Sequence, residues 1–246
     1  MDPLKLVEQI AALPDDWHGA GSVNATVLRA LVRHAAGVGR IEQSVETGSG
    51  KTTLLLSHLA AAHTVFAVDA GGSISQVKSS ALLNSRTTTF VEGPTQRTLP
   101  AHHFAHRHQL VLIDGPHGYP FPDLEYYFLY PTIDTGGLLV IDDLLIPTIA
   151  RMYEVIAAGD MFEPLEVVES NTGFLRRTDA PLINPLADAW WEQGYNRPYY
   201  QRLISPPPAE ARAIPAPSTA PTPTGTSGTA ATSGWASRIW RRFGRA

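Results

Sequence analysis

The sequence predicts an α/β fold: a doubly wound, mostly parallel sheet that ends in an antiparallel β-hairpin, with helices on both faces. Three observations carry that prediction. Short apolar runs recur at residues 41–45, 65–68, 88–91, 110–113 and 138–141. Helix-period stretches alternate with them, the pattern of parallel βαβ units buried on both sides. Residues 164–170 and 173–177 then flank a turn at Asn171, Thr172 and Gly173, which reads as a hairpin.

Taken in order, residues 1–40 read as a helical lid segment. Leu4, Leu6, Val7, Ile10 and Leu13 form one apolar stripe, Val27, Leu28, Leu31 and Val32 a second, and residues 15–21 form a loop between them. The main domain spans 41–182. Its helices are expected at 52–62, 75–83, 123–129 and 148–157, between the strands already given. Residues 183–204 are aromatic and irregular, with a helix expected near 186–193. Residues 205–234 are rich in Pro, Ala, Thr, Ser and Gly without apolar periodicity, the composition of a disordered linker. An amphipathic, basic tail occupies 235–246.

Composition narrows the function classes. With 246 residues, 43% of them hydrophobic, the chain can bury one sizeable core. A formal charge of −4 gives no electrostatic footprint for nucleic acid. The absence of cysteine removes disulfides, thiolate nucleophiles and cysteine zinc sites. The amino terminus is acidic and amphipathic rather than a secretory signal. No apolar run approaches the ~20 residues of a membrane span. These features predict a soluble, cytoplasmic protein.

The stretch QSVETGSGKTT, residues 43–53, imitates a phosphate loop. A Walker A loop needs its first glycine five residues before Gly50, where the chain has Val45. Glu46 would then place a carboxylate in the mouth of a polyanion site, which is unfavourable. The apolar strand ending in Asp142 and Asp143 does imitate a Walker B strand, so a P-loop-like ATP-binding protein is the alternative reading. A dinucleotide fingerprint through Gly48 and Gly50 meets Thr53 where a third glycine belongs. The third reading takes Glu46 to Gly50 as E-x-G-x-G directly after the first strand. With Asp69 at the tip of the second strand, 23 residues on, such a turn suits a ligand bearing a ribose and positive charge but no phosphate.

On these residues the chain resembles a class I S-adenosylmethionine-dependent methyltransferase of Rossmann-like fold, over roughly residues 40–178. IDGPHGY and GGLLVIDD are similar to segments of the small-molecule O-methyltransferase-like branch. The resemblance implies S-adenosylmethionine as cofactor. Glu46, Gly48, Ser49 and Gly50 would line its methionine end, Asp69 would bind the ribose, Glu92 and Gly93 would lie near the adenine, and Asp114 would also face the cofactor. A non-catalytic scaffold of the same fold, docking through its tail, is the non-enzymatic alternative.

Asp114, His117, Asp142 and Asp143 follow the fourth and fifth strands. Carboxylates at that density either share protons or hold a hard cation such as Mg2+, with Asp114, Asp142 and Asp143 as ligands. Asp114 and His117 are the candidate catalytic residues, His117 as a base for an acceptor hydroxyl; the alternative packs His117 in its turn. The acceptor is expected to be a small molecule or glycan. Tyr119 and Phe121 lie near enough in sequence to touch it, and Trp17-His18 is read as a loop packing on the core or as part of a lid. His102, His103, His106 and His108 are expected on a solvated face. In the tail, Trp235, Ile239, Trp240 and Phe243 share one helical face and Arg238, Arg241, Arg242 and Arg245 the other. That pattern suits peripheral docking to a membrane or protein through residues 235–245.

Overall fold

The computed structural model describes residues 2–204 apart from 15, 20–22, 185 and 189. The expected linker 205–234 and basic tip 235–246 lie outside the described residues, as do parts of the 15–21 loop and the 186–193 segment.

Seven strands form one sheet in the order β3-β2-β1-β4-β5-β7-β6. They are β1 (Ile41–Thr47), β2 (Ala60–Ala67), β3 (Thr88–Glu92), β4 (His108–Ile113), β5 (Ile133–Ile141), β6 (Phe162–Val168) and β7 (Thr172–Arg177). β3 through β5 run parallel, whereas β7 is antiparallel to both β5 and β6. The doubly wound sheet with its terminal hairpin is therefore present as expected. Strand order reverses beside β1, so the carboxyl ends of β1 and β4 form the crevice where open α/β sheets take ligands.

Side chains alternate along each strand and sort into two cores. Leu110 and Leu112 of β4 and Leu138 and Val140 of β5 face one side. There they meet α1 (Pro3–Ala11), α2 (Ala25–Val38) and α3 (Lys51–Leu59). Val111, Ile113, Leu139 and Ile141 face the other. Their partners are α5 (Thr95–Ala101), α6 (Phe121–Leu129) and α7 (Pro147–Ala157). Leu6, Val7 and Ile10 of α1 are fully buried, so α1 and α2 build one wall of the core.

Local chemistry sets the ends of these helices. Asp2 caps α1 and Pro3 sits in its first turn, where a missing N–H costs nothing. Asn24 Oδ1 accepts from the amides of Thr26 and Val27 at 2.9 and 3.1 Å to start α2, and Gly39 ends it at φ 91°. A short helix α4 (Ser73–Ser79) follows β2, and α8 (Arg197–Ile204) closes the described chain. Among the described residues of 186–193 the helical structure is a 3-10 turn at Trp190–Glu192; the regular helix lies later, with Pro198 in its first turn.

Of the four histidines expected on a solvated face, His103 and His106 are exposed, whereas His102 and His108 are not. His108 is 4% exposed, and burial pushes its pKa down to about 4. Its Nδ1 lies 2.9 Å from Thr132 Oγ1. His102 packs on Phe66 and Phe104, with ring centroids 5.0 and 4.7 Å apart. Two of the four thus serve an aromatic core.

Candidate functional site

Four turns meet at the carboxyl edge of the sheet: those after β1, β2, β4 and β5. The β1 turn is held from below. Glu46 is fully buried, 3.3 Å from His63 Nε2 on β2, and accepts a hydrogen bond from the Thr53 hydroxyl on α3. Thr53 Oγ1 also accepts from Gly50 N at 3.0 Å. The residue that breaks the dinucleotide fingerprint is thus the clamp that ties turn to helix. Glu46 was expected to face the ligand; here it anchors the turn from inside the core.

Gly48 adopts φ 82°, a left-handed conformation, and a Cβ there would come within 2.1 Å of the Asp114 carbonyl oxygen. Only glycine allows the β1 and β4 turns to approach so closely. Ser49 Oγ donates to Ser73 Oγ at 3.1 Å, joining the β1 turn to the start of α4. Lys51, the residue that makes the loop resemble a Walker motif, is 3% exposed and donates to the Leu13 carbonyl at 3.1 Å.

Asp69 stands at the β2 tip, capping α4. Its Oδ1 accepts from Ile74 N at 2.8 Å and its Oδ2 from Ser75 Oγ at 2.5 Å, which holds its pKa below the ordinary carboxylate value. Glu92, at the β3 tip, is exposed and paired with Lys78. Gly93 follows at φ 141°.

Between the β4 and β5 turns the acid cluster takes a definite form. His117 Nε2 lies 2.9 Å from Asp143 Oδ2 and 3.9 Å from Asp114 Oδ1. One donor atom each from Asp114, His117 and Asp143 falls within 4.8 Å of the others. Asp142, expected as a ligand beside them, points elsewhere: it is 7% exposed and accepts from the Thr172 hydroxyl and from Asn171 Nδ2 at 3.4 Å. Asp143 reaches His117 from a left-handed backbone, φ 63°.

The charges interlock. The carboxylates of Asp114 and Asp143 hold the His117 imidazole protonated well above its usual range, up to about 10. Asp114, whose side chain is 30% exposed, is pushed upward by burial and, further, by Asp142 and Asp143, against the pull of His117. At neutral pH the imidazolium offsets part of the negative charge of the cluster.

Sequence reasoning missed Glu125. It is fully buried on α6 and accepts from Thr47 Oγ1 at 2.7 Å, while Thr47 Oγ1 accepts from Asp114 N at 3.0 Å. Burial pushes its carboxyl up to about 7. A signal was present: Pro122, Glu125 and Leu129 share the buried face of α6 at helical spacing, so an acid stands where an apolar residue is expected. Together with Asp114, Gly115, His117 and Asp142, Glu125 lines a small recess behind the cluster. Tyr119, two residues after His117, is 75% exposed. Tyr126 instead packs in the core, stacked on Tyr130 at 5.1 Å.

Residues 45–144 match the family model of a methyltransferase domain. No curated protein sequence matches the chain. Among solved structures it is similar to a candidate O-methyltransferase from Klebsiella pneumoniae, with 17% identity, 73% of this chain and 91% of that chain covered, and a TM-score of 0.52. The methyltransferase PaMTH1 of Podospora anserina, bound to S-adenosylhomocysteine, gives 14% identity, 73% and 89% coverage, and a TM-score of 0.51. TomG, an O-methyltransferase of tomaymycin synthesis from Streptomyces achromogenes in complex with S-adenosylmethionine, gives 15%, 72%, 90% and 0.50. At these identities the structural likeness is one of fold.

Proposed function

Since the chain carries a class I S-adenosylmethionine-dependent methyltransferase domain, we propose that it methylates an oxygen of a small-molecule or glycan acceptor over the Asp114–His117–Asp143 cluster. The observation that carries this reading is the convergence of those three side chains beside the glycine turn. S-Adenosylmethionine, when bound, supplies the methyl group on a sulfonium, a donor that needs alignment more than activation.

The residues present fit that cofactor. Gly48, Ser49 and Gly50 offer a side-chain-poor turn, and Asp69 and Glu92 offer carboxylates at adjacent strand tips. Asp69 takes the ribose hydroxyls in this reading, Glu92 and Gly93 lie by the adenine, and Asp114 faces the amino-acid ammonium. Glu46 acts through the turn that it anchors.

The acceptor hydroxyl must lose a proton as it attacks. In this reading Asp114 accepts that proton when ionised; because burial raises its carboxyl to about 8, the ionised form gains population as pH rises. His117, already protonated between two carboxylates, donates to the acceptor and balances charge. The same three donor atoms also fit a divalent cation. One imidazole with two carboxylates suits Mn2+ or Fe2+ at least as well as Mg2+. A cation bound there would lower the pKa of the acceptor hydroxyl. A tail that docks peripherally to a membrane or protein through residues 235–245 remains part of this reading, carried by the sequence pattern alone.

The test is incubation with methyl-deuterated S-adenosylmethionine and a panel of phenolic, sugar and hydroxy-acid acceptors. Label appearing on oxygen, with release of S-adenosylhomocysteine, supports the proposal. Label on nitrogen or carbon only, or cofactor binding with no transfer, contradicts it; the latter favours the scaffold.

A further inference from the structure

We propose that Asn171 is a positioning residue for the methyl transfer, its side-chain amide holding the Asp143 carboxylate toward His117. This rests on the methyltransferase reading above, and it gives the antiparallel hairpin a part in the site. The hairpin turn brings Asn171 there. Asn171 N donates to the Val168 carbonyl at 3.0 Å, and between them Glu169 and Ser170 have φ 51° and 57°. Two successive left-handed residues make the tight reversal of a type I′ turn.

From that turn Asn171 grips the chain after β5 through backbone and side chain together. Its carbonyl accepts from Leu144 N at 2.8 Å, and its Oδ1 accepts from Leu145 N at 3.3 Å. Its Nδ2 donates to Asp143 Oδ1 at 3.3 Å and to Asp142 Oδ1 at 3.4 Å. An amide nitrogen carries two hydrogens, so one group serves both carboxylates. The contacts are long for N–H···O bonds, and the charge of each acceptor strengthens them. Asp142 also accepts from the Thr172 hydroxyl, so the hairpin holds that residue twice.

Asp143 stands in a conformation that has to be held. Its φ of 63° turns the carboxylate to His117, and residues other than glycine seldom adopt it. The amides of Leu144 and Leu145, fixed on Asn171, pin the chain just beyond it. On the carboxylate itself, Oδ2 lies 2.9 Å from His117 Nε2 while Oδ1 takes the Asn171 amide. Partners on both oxygens fix the plane of the group as well as its direction. The amide is neutral, so it orients Asp143 without cancelling the charge that pairs with His117.

The experiment measures methyl transfer by Asn171→Ala in the wild-type and in the Asp143→Asn background, on the acceptor that the label panel identifies. A residue that acts through Asp143 should cost roughly ten- to hundredfold in kcat in the first background. In the second it should cost about twofold or less. The KM for S-adenosylmethionine should stay unchanged in both. Equal losses in the two backgrounds, no loss in the first, or a loss confined to KM overturn the proposal. Wild-type protein that transfers no methyl group overturns the transfer reading instead, and NMR then decides the contact. The Asn171 side-chain amide resonances should move on Asp143→Asn substitution; unmoved resonances overturn the proposal without any change at Asn171.

Discussion

Glu125 on α6 accepts a 2.7 Å hydrogen bond from Thr47 at the tip of β1, and through that hydroxyl it fixes the amide of Asp114. A carboxyl on one face of the sheet thereby sets the position of the acid cluster at its edge. Because Glu125 is buried and its pKa is raised to about 7, it is neutral in the folded protein where it would be ionised in the unfolded chain. For an acid with a raised folded pKa, the unfolded state loses its proton first, so stability falls as pH rises from about 4.5 to about 7. Glu125→Gln keeps the shape and cannot ionise. Its unfolding free energy relative to wild type should therefore rise between pH 5 and pH 8, by an amount on the order of 2–3 kcal/mol. A difference that does not vary with pH contradicts the buried, neutral carboxyl.

Gly48 has both a left-handed backbone and the Asp114 carbonyl where a side chain would go. Gly48→Ala should cost at least ~2 kcal/mol from strain and overpacking and sharply weaken binding of S-adenosylhomocysteine. Gly118→Ala, in the neighbouring loop, meets nothing within 4 Å and should change stability by less than about 0.5 kcal/mol. Chemical denaturation of the two variants checks the contrast.

Much of the fold was legible because its strands are apolar and short, and their tips carry acids. Other features were not. β2 begins at Ala60, inside what reads as helix, because three alanines carry no strand signal of their own. β5 begins at Ile133, ahead of Gly136 and Gly137, which read as a break. Helix α5 contains Pro100 and spans only seven residues, too few to show a period. At the site, the residues that follow each strand were found, but not which way they point. Glu46 turns inward to Thr53 and His63, and a left-handed backbone at Asp143 sends that carboxylate, rather than Asp142, to His117. Side-chain direction depends on register and on local φ, which residue type alone does not specify.

His117 gives a direct test of the cluster. With Asp143 2.9 Å away, removing that charge in Asp143→Asn should bring the imidazole pKa down from about 10 toward its ordinary value. A histidine raised in the folded state contributes its stability fully below the unfolded pKa and loses it as pH rises through the folded one. Wild type should therefore lose stability between about pH 6.5 and pH 10, and the variant, in which Asp114 still raises His117, less. Histidine ring NMR across that range reads the shift; an unchanged titration contradicts the pairing.

Asp69 caps α4 through two amides and a hydroxyl. Asp69→Ala should lower stability as a lost cap. In the proposed site it should also reduce S-adenosylhomocysteine affinity by roughly tenfold or more, the worth of a charged hydrogen bond to the ribose. Loss of stability without loss of affinity would confine Asp69 to capping.

The central claim is that the turn from Glu46 to Gly50 receives a cationic nucleoside rather than a triphosphate, Lys51 being committed to the Leu13 carbonyl. Calorimetric titration of the full chain with S-adenosylhomocysteine and, separately, with ATP and Mg2+ tests it most directly. The account predicts saturable binding of S-adenosylhomocysteine and no heat from ATP. Binding of ATP with no response to S-adenosylhomocysteine would contradict it.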